Sequence, residues 1–159
     1  METPIDKPLA PKILRAAEYF DYASRELNDD LALTSADTGG QFCAGSVLMG
    51  PNDGPPPHVH TEEDEMWLIQ EGRFEFLIGE EVIECGPGDI VFAPRGIVHT
   101  FRNCGDAAGR LFSLVTGSNF ERFYRRWTEM LRETKPDFGA ACAMAQEHGI
   151  TILPRDPLR

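Results

Sequence analysis

The chain has 159 residues, 42% hydrophobic and 26% charged, which excludes a disordered or fibrous protein and fits one domain burying roughly 70% of the surface its unfolded chain exposes. Fifteen Lys and Arg against 26 Asp and Glu give a net charge of -11, a sign that repels phosphate backbones and anionic headgroups and so argues against nucleic acid or membrane partners. No apolar run approaches the ~18 residues that span a bilayer, and the opening METPIDKPLAPK has Pro and Asp where a signal peptide needs an apolar core, so the expected setting is cytoplasmic.

Residues 1–39, with Pro4, Pro8 and Pro11, read as an N-terminal extension holding one strand around Leu31 to Thr34 and a turn at Thr38, Gly39 and Gly40. Residues 40–116 read as a run of short strands: Phe42 to Met49, Glu65 to Gln70, Arg73 to Ile78, Glu81 to Glu84, Ile90 to Phe92, His99 to Asn103 and Arg110 to Thr116. Glycine-bearing reversals separate them, and Phe74, Phe76 and Ile78 alternate with Arg73, Glu75 and Leu77. This pattern predicts an all-β sandwich or barrel. Phe74, Phe76, Phe92, Phe101 and Phe112 are expected to fill its core rather than line a pocket.

After Gly117 the period changes. Phe120, Phe123, Tyr124, Trp127, Met130 and Leu131 recur at helical spacing, on a face expected to pack against the strands. Ser118 and Glu121 have the spacing of a capping box, and Pro136 is placed to stop the helix. A second, Ala-rich helix is expected from about Phe138 to His148, ending at Gly149, with His148 favouring its C-terminal dipole. Residues 117–149 are therefore C-terminal helices and 150–159 a tail. Cys43, Cys85, Cys104 and Cys142 form no C-x-x-C pair and read as ordinary buried or half-buried thiols rather than a zinc ribbon, redox pair or disulfide framework.

Three of the four histidines, His58, His60 and His99, fall in the β-region. His58 and His60 are two apart, so on a strand both rings point to one face, where one metal ion can reach both. After four intervening residues Glu65 can supply a carboxylate oxygen, and the Gly and Pro positions before His99 predict a turn that aims that ring back inward. Burying three imidazoles without a shared partner costs several kcal/mol. Glu62, Glu63 and Asp64 read as a solvated turn, with competition for the metal or service as a base the other readings. Pro55, Pro56 and Pro57 hold the approach to His58 extended.

Two motifs resemble those of the cupins. Gly88, Pro94, Gly96, His99 and Asn103 meet every fixed position of G-x5-P-x-G-x2-H-x3-N, and His58, His60, Glu65 and Gly72 meet G-x5-H-x-H-x3-4-E-x6-G except for its opening glycine, where Asn52 stands between Gly50 and Gly54. The resemblance, closest to single-domain quercetin-dioxygenase-like cupins, implies a jelly-roll β-barrel over residues 40–116 with one metal held by His58, His60, Glu65 and His99. That donor set suits Fe, Mn, Ni, Co, Cu or Zn as a divalent ion, and four protein ligands leave positions open for water, dioxygen or substrate. The expected function is a small-molecule oxidoreductase of the dioxygenase type acting on an enolic or phenolic substrate, with Glu65 also the proton acceptor. The alternatives are a metal-dependent isomerase or decarboxylase and a non-catalytic ligand-binding module. A homodimer, with the Trp127 face as one place for contact, is also implied.

Overall fold

A computed structural model describes residues 9–15, 31–133, 137–154 and 158. Its strands are β1 (Leu31–Leu33), β2 (Phe42–Met49), β3 (His58–His60), β4 (Glu65–Glu71), β5 (Phe74–Ile78), β6 (Glu81–Cys85), β7 (Ile90–Ala93), β8 (His99–Asn103), β9 (Gly109–Thr116) and β10 (Ile150–Ile152), with helices α1 (Asn119–Glu133) and α2 (Phe138–Glu147) before the last. The stretch around Pro4 and Pro8 and the proposed stop at Pro136 lie outside the described residues.

The strands form two five-stranded antiparallel sheets, ordered β1-β2-β9-β4-β7 and β10-β3-β8-β5-β6. From β2 to β5 and again from β6 to β10 successive strands alternate between the sheets, as in a jelly roll, while β1–β2 and β5–β6 are hairpin-like neighbours within one sheet. Among the described residues no strand of one sheet pairs with a strand of the other. The barrel expected from the sequence is thus corrected to two facing, unclosed sheets. The reason is at the corners: residues 61–64, 86–89 and 104–108 cross as turns, so ladder hydrogen bonds stop at each sheet's edge.

Trp67, Ile69 and Leu111 from the first sheet meet Phe74, Phe76 and Phe101 from the second, and the Trp67 ring lies 5.4 Å from Phe76 and 5.6 Å from Phe101. Each such fully buried side chain contributes about 1.5–3 kcal/mol. Phe92 and Phe112 do not join them. The register sets Phe92 beside Met66 and Phe112 beside Leu68, out of phase with inward Glu65, Trp67 and Ile69, so both rings lie on the outer face and Phe92 is 57% exposed.

The missing motif glycine has a backbone explanation. Asn52 sits at φ 64, the only positive φ outside glycine among the described residues. A position that needs the left-handed region prefers glycine, and asparagine is the next best fit. Gly54 answers a different demand, because a Cβ there would lie 1.9 Å from the Phe101 carbonyl oxygen.

Along α1 the Phe120 ring stacks on Tyr124 at i+4 and lies tilted against Phe123 at i+3, and Trp127 stacks on Phe123 at 6.1 Å. The expected capping box does not form as drawn, because Glu121 is engaged elsewhere: it accepts from the Ser35 backbone N–H at 2.6 Å and pairs with Arg125. Asp137 caps α2 by accepting from the Ala140 N–H at 2.8 Å, and Gly149 leaves the helix at φ 74. Directly after it, β10 pairs with β3 through Ile150 beside His60 and Ile152 beside His58, a strand not anticipated from sequence.

Gly54→Ala is expected to lower the unfolding free energy by about 2 kcal/mol, since the opposing atom is backbone and cannot swing away. Asn52→Gly should stay within about 0.5 kcal/mol of the parent, its relaxed backbone offset by a freer unfolded chain. Urea midpoints of the two variants beside the parent check both.

Candidate metal centre

The alternation of β3 turns His58 and His60 inward and leaves Val59 between them half-buried. His99, the first residue of β8, is the direct cross-strand partner of His58. Three imidazoles therefore come from neighbouring strands of one sheet. Glu65 arrives from the other sheet, as the first inward residue of β4. The ligating atoms of these four residues lie within 4.8 Å of one another. The structure thus brings together all four residues singled out from the sequence.

Each ring has a fixed orientation. Nδ1 of His58 lies 2.8 Å from the Pro56 carbonyl oxygen, and Nδ1 of His99 lies 2.9 Å from that of Ile97. A carbonyl only accepts, so both Nδ1 atoms carry the hydrogen and both Nε2 lone pairs face inward. For His60 the same service comes from Glu63, whose Oε2 lies 2.9 Å from Nδ1. The three Nε2 atoms then meet only the oxygens of Glu65, at 2.9 Å for His99, 3.7 Å for His60 and 3.9 Å for His58. Nε2 of His60 is buried with no hydrogen-bond partner. Acceptors converging on acceptors fit a cation, and imidazole with carboxylate is a donor set for a divalent transition metal.

Burial acts to raise the Glu65 carboxyl, but His58 and His99, which donate to it whenever their rings are protonated, and the nearby His60 overcome it and hold the group below the ordinary carboxylate range. Burial lowers His58, assisted by His99 and His60 against the opposing pull of Glu65, which keeps it neutral and free to ligate. Two groups nearby are not candidates. Burial, then the charges of Glu121, Glu65 and Glu63, pushes the Cys43 thiol up to about 12, so no thiolate is on hand. His148 lies at the end of α2, 3.3 Å from an Arg126 nitrogen. Burial and Arg126 lower it, which disfavours the charged form at this helix end.

The turn 61–64 also departs from expectation. Glu62 is exposed and accepts from the Asn119 side chain at 2.9 Å. Glu63 is 2% exposed. Besides His60, it accepts from the Phe120 backbone N–H at 2.9 Å, in the first turn of α1. Asp64 receives the Arg95 backbone N–H at 2.9 Å and two guanidinium nitrogens at 3.0 and 2.8 Å. The solvated turn is thus corrected to three anchored carboxylates, of which sequence reasoning missed the buried one that contacts His60. The available signal was the three-residue step from His60 to Glu63, which acidic neighbours on both sides obscured.

The Arg95 hydrogen bonds and charge hold Asp64 at about 2, below 3.8. A lowered folded-state value makes the contribution fully present above 3.8 and progressively lost as pH falls through about 2. The stability gap between the parent and Asp64→Asn should therefore be constant from pH 7 to about 4 and close between pH 4 and 2, as read from urea midpoints at stepped pH.

Residues 45–115 match the family described as the cupin domain. The xanthan biosynthesis protein XanB of Xanthomonas campestris is 26% identical over 87 residues, 55% of this chain and 19% of that protein. Across the curated relatives it matches, the chain spans 19% to 51% of their length. Among solved structures, an uncharacterized conserved protein with a double-stranded β-helix domain from Klebsiella pneumoniae superposes with a TM-score of 0.55 at 23% identity, over 69% of this chain and 93% of that one. A predicted oxalate decarboxylase from Thermotoga maritima gives a TM-score of 0.52 at 19% identity, over 54% of this chain and 75% of that one. At those identities the likeness is one of fold. Motif and domain match agree that residues 45–115, somewhat under half of the chain, are similar to the cupin domain, and the solved structures add a likeness of fold.

Proposed function

We propose that His58, His60, Glu65 and His99 hold one divalent transition metal and that the protein is a metal-dependent enzyme of small molecules, of the dioxygenase type, acting on an enolic or phenolic substrate. The observation that carries the metal is the convergence of three imidazole nitrogens and a carboxylate on one buried point, where His60 Nε2 has no hydrogen-bond partner. When bound, the metal supplies Lewis acidity and, if redox-active, electron exchange with dioxygen.

The chain's own residues do the rest. Pro56, Ile97 and Glu63 fix the three rings with Nε2 inward before any ion arrives, so little reorganisation opposes loading. Glu65, held below the ordinary carboxylate range, is better suited to ligation than to taking a proton, so a proton-acceptor role requires it to give up a histidine contact first. The Phe120 ring lies 5.9 Å from His60 and the Trp67 ring 5.5 Å from His99, an aromatic setting that supports a flat, apolar substrate. A homodimer and a cytoplasmic setting belong to the same reading; no helix among the described residues is long and apolar enough to cross a membrane.

Elemental analysis of anaerobically purified protein, beside His99→Ala, tests the centre. The expected result is near one metal per chain, lost in the variant. Oxygen uptake by the loaded protein with flavonols and diketones tests the reaction. Uptake with substrate supports the dioxygenase reading; turnover persisting under strict anaerobiosis replaces it with non-oxidative chemistry, and retention of ligand without turnover with a binding module.

A further inference from the structure

Glu63 joins two parts of the molecule that the metal reading leaves separate. One oxygen, Oε2, takes the Nδ1 hydrogen of His60 at 2.9 Å, and the other, Oε1, takes the Phe120 backbone N–H at 2.9 Å. Both His60 and Glu63 are buried, at 0% and 2% exposure. The seat around Glu63 is close-packed: Gly117, at φ +76, would bring a Cβ to 3.4 Å from its Cγ. On the other side of the turn, Asp64 and Thr116 exchange hydrogen bonds, Asp64 N–H to Thr116 Oγ1 at 2.8 Å and Thr116 N–H to the Asp64 carbonyl at 3.0 Å. The carboxylate is held where it touches both donors at once.

Two buried donors require two acceptors, and of the side chains of this length only a carboxylate supplies both. An amide offers one acceptor and one donor. If its oxygen serves Phe120, its NH2 faces His60 Nδ1, and that ring must move its hydrogen to Nε2, the atom aimed at the other ligands. If its oxygen serves His60, N–H faces N–H at the start of α1 and the helix loses its cap. The first turn of α1 and the tautomer of His60 are therefore not independent.

We propose that Glu63 is a positioning residue that makes the seating of α1 and the loading of metal at His60 one coupled event. The inference rests on the metal-centre reading above and adds that metal tightens the helix while the helix, through Glu63, sharpens the metal site, as linkage demands.

Histidine nitrogen NMR, metal titration with zinc and cobalt(II), and amide exchange along α1, on the parent, Glu63→Gln and Glu63→Asp, test it. In the metal-free parent His60 should be the Nδ1–H tautomer, and Glu63→Gln should populate Nε2–H. Metal affinity should fall about 10- to 100-fold in Glu63→Gln. Glu63→Asp keeps the charge but is one methylene too short to span both donors, and should weaken binding likewise; parent-like binding there would reduce Glu63 to a charge and overturn the proposal. Metal should slow exchange at Phe120 and the next turn of the parent, which needs no variant to fold, and unchanged exchange overturns the coupling. A parent that binds no metal overturns the metal-centre reading and this one with it, whereas a parent that binds and a Glu63→Gln that binds equally well overturns only the role of Glu63.

Discussion

At one point between the two sheets, three imidazole Nε2 atoms and the oxygens of Glu65 face one another, and in the neutral rings the hydrogens sit on the outer nitrogens. His58 donates to Pro56, His99 to Ile97 and His60 to Glu63. Nε2 of His60 has no hydrogen-bond partner there, and an unpaired buried acceptor costs about 1–3 kcal/mol that packing alone does not return. A single cation satisfies the three nitrogens and the carboxylate together. It would also tie the sheets, since the three histidines stand on one and Glu65 on the other. The arrangement exists at a cost to the metal-free fold, which is how a site prepared for a ligand differs from a polar core that satisfies itself.

The surrounding structure holds that point in place. Behind it, Trp67 packs between His99 and the phenylalanine core, so the ligand positions inherit the stiffness of the best-packed part of the molecule. In front, the prolines before β3 act through their carbonyls. Pro55 receives the Thr100 hydroxyl at 2.7 Å, Pro56 the His58 ring and Pro57 the Leu153 N–H at 2.8 Å. A residue type that cannot donate is thus used three times running as an acceptor, on a backbone whose φ is already fixed. Asn103, at the far end of the second motif, is fully buried and donates to the Met49 and Ala107 carbonyls while accepting from Gly105 N–H, which closes β8 against the loop carrying Asn52.

Much of this was legible in the residues, and what was not has physical causes. Two-residue alternation placed His58 and His60 on one face, and the glycine and proline punctuation gave β2 and β8 their observed ends, because side-chain period and turn chemistry are local properties. Glu63 was not legible, since its burial depends on α1 arriving from more than fifty residues away to present an N–H. Phe92 was misplaced for a related reason: a strand's pattern says that alternate residues share a face, but which face is inward is set by the register with Met66. β10 carries only three residues, too few for any period, and forms because Gly149 delivers it to the open edge of β3. The closed barrel failed because closure depends on how the corners cross, not on the strands.

The turn 61–64 is the place where these long-range dependencies meet. It is the crossing from one sheet to the other, between the strand of His58 and His60 and the strand of Glu65, and each of its acids holds a different element: Glu62 the Asn119 side chain, Glu63 the His60 ring and the Phe120 amide, Asp64 the Arg95 turn that leads to His99. A crossing made only of flexible loop would let Glu65 drift relative to the histidines, and a misplacement of about 1 Å is enough to spoil a catalytic or ligating geometry. Three carboxylates in succession raise the local negative charge, which by itself opposes folding. The compensation is that none is spent on solvent alone. Charge that composition suggests is surface decoration is here the frame that fixes the Glu65 carboxylate from one sheet against the three imidazoles from the other.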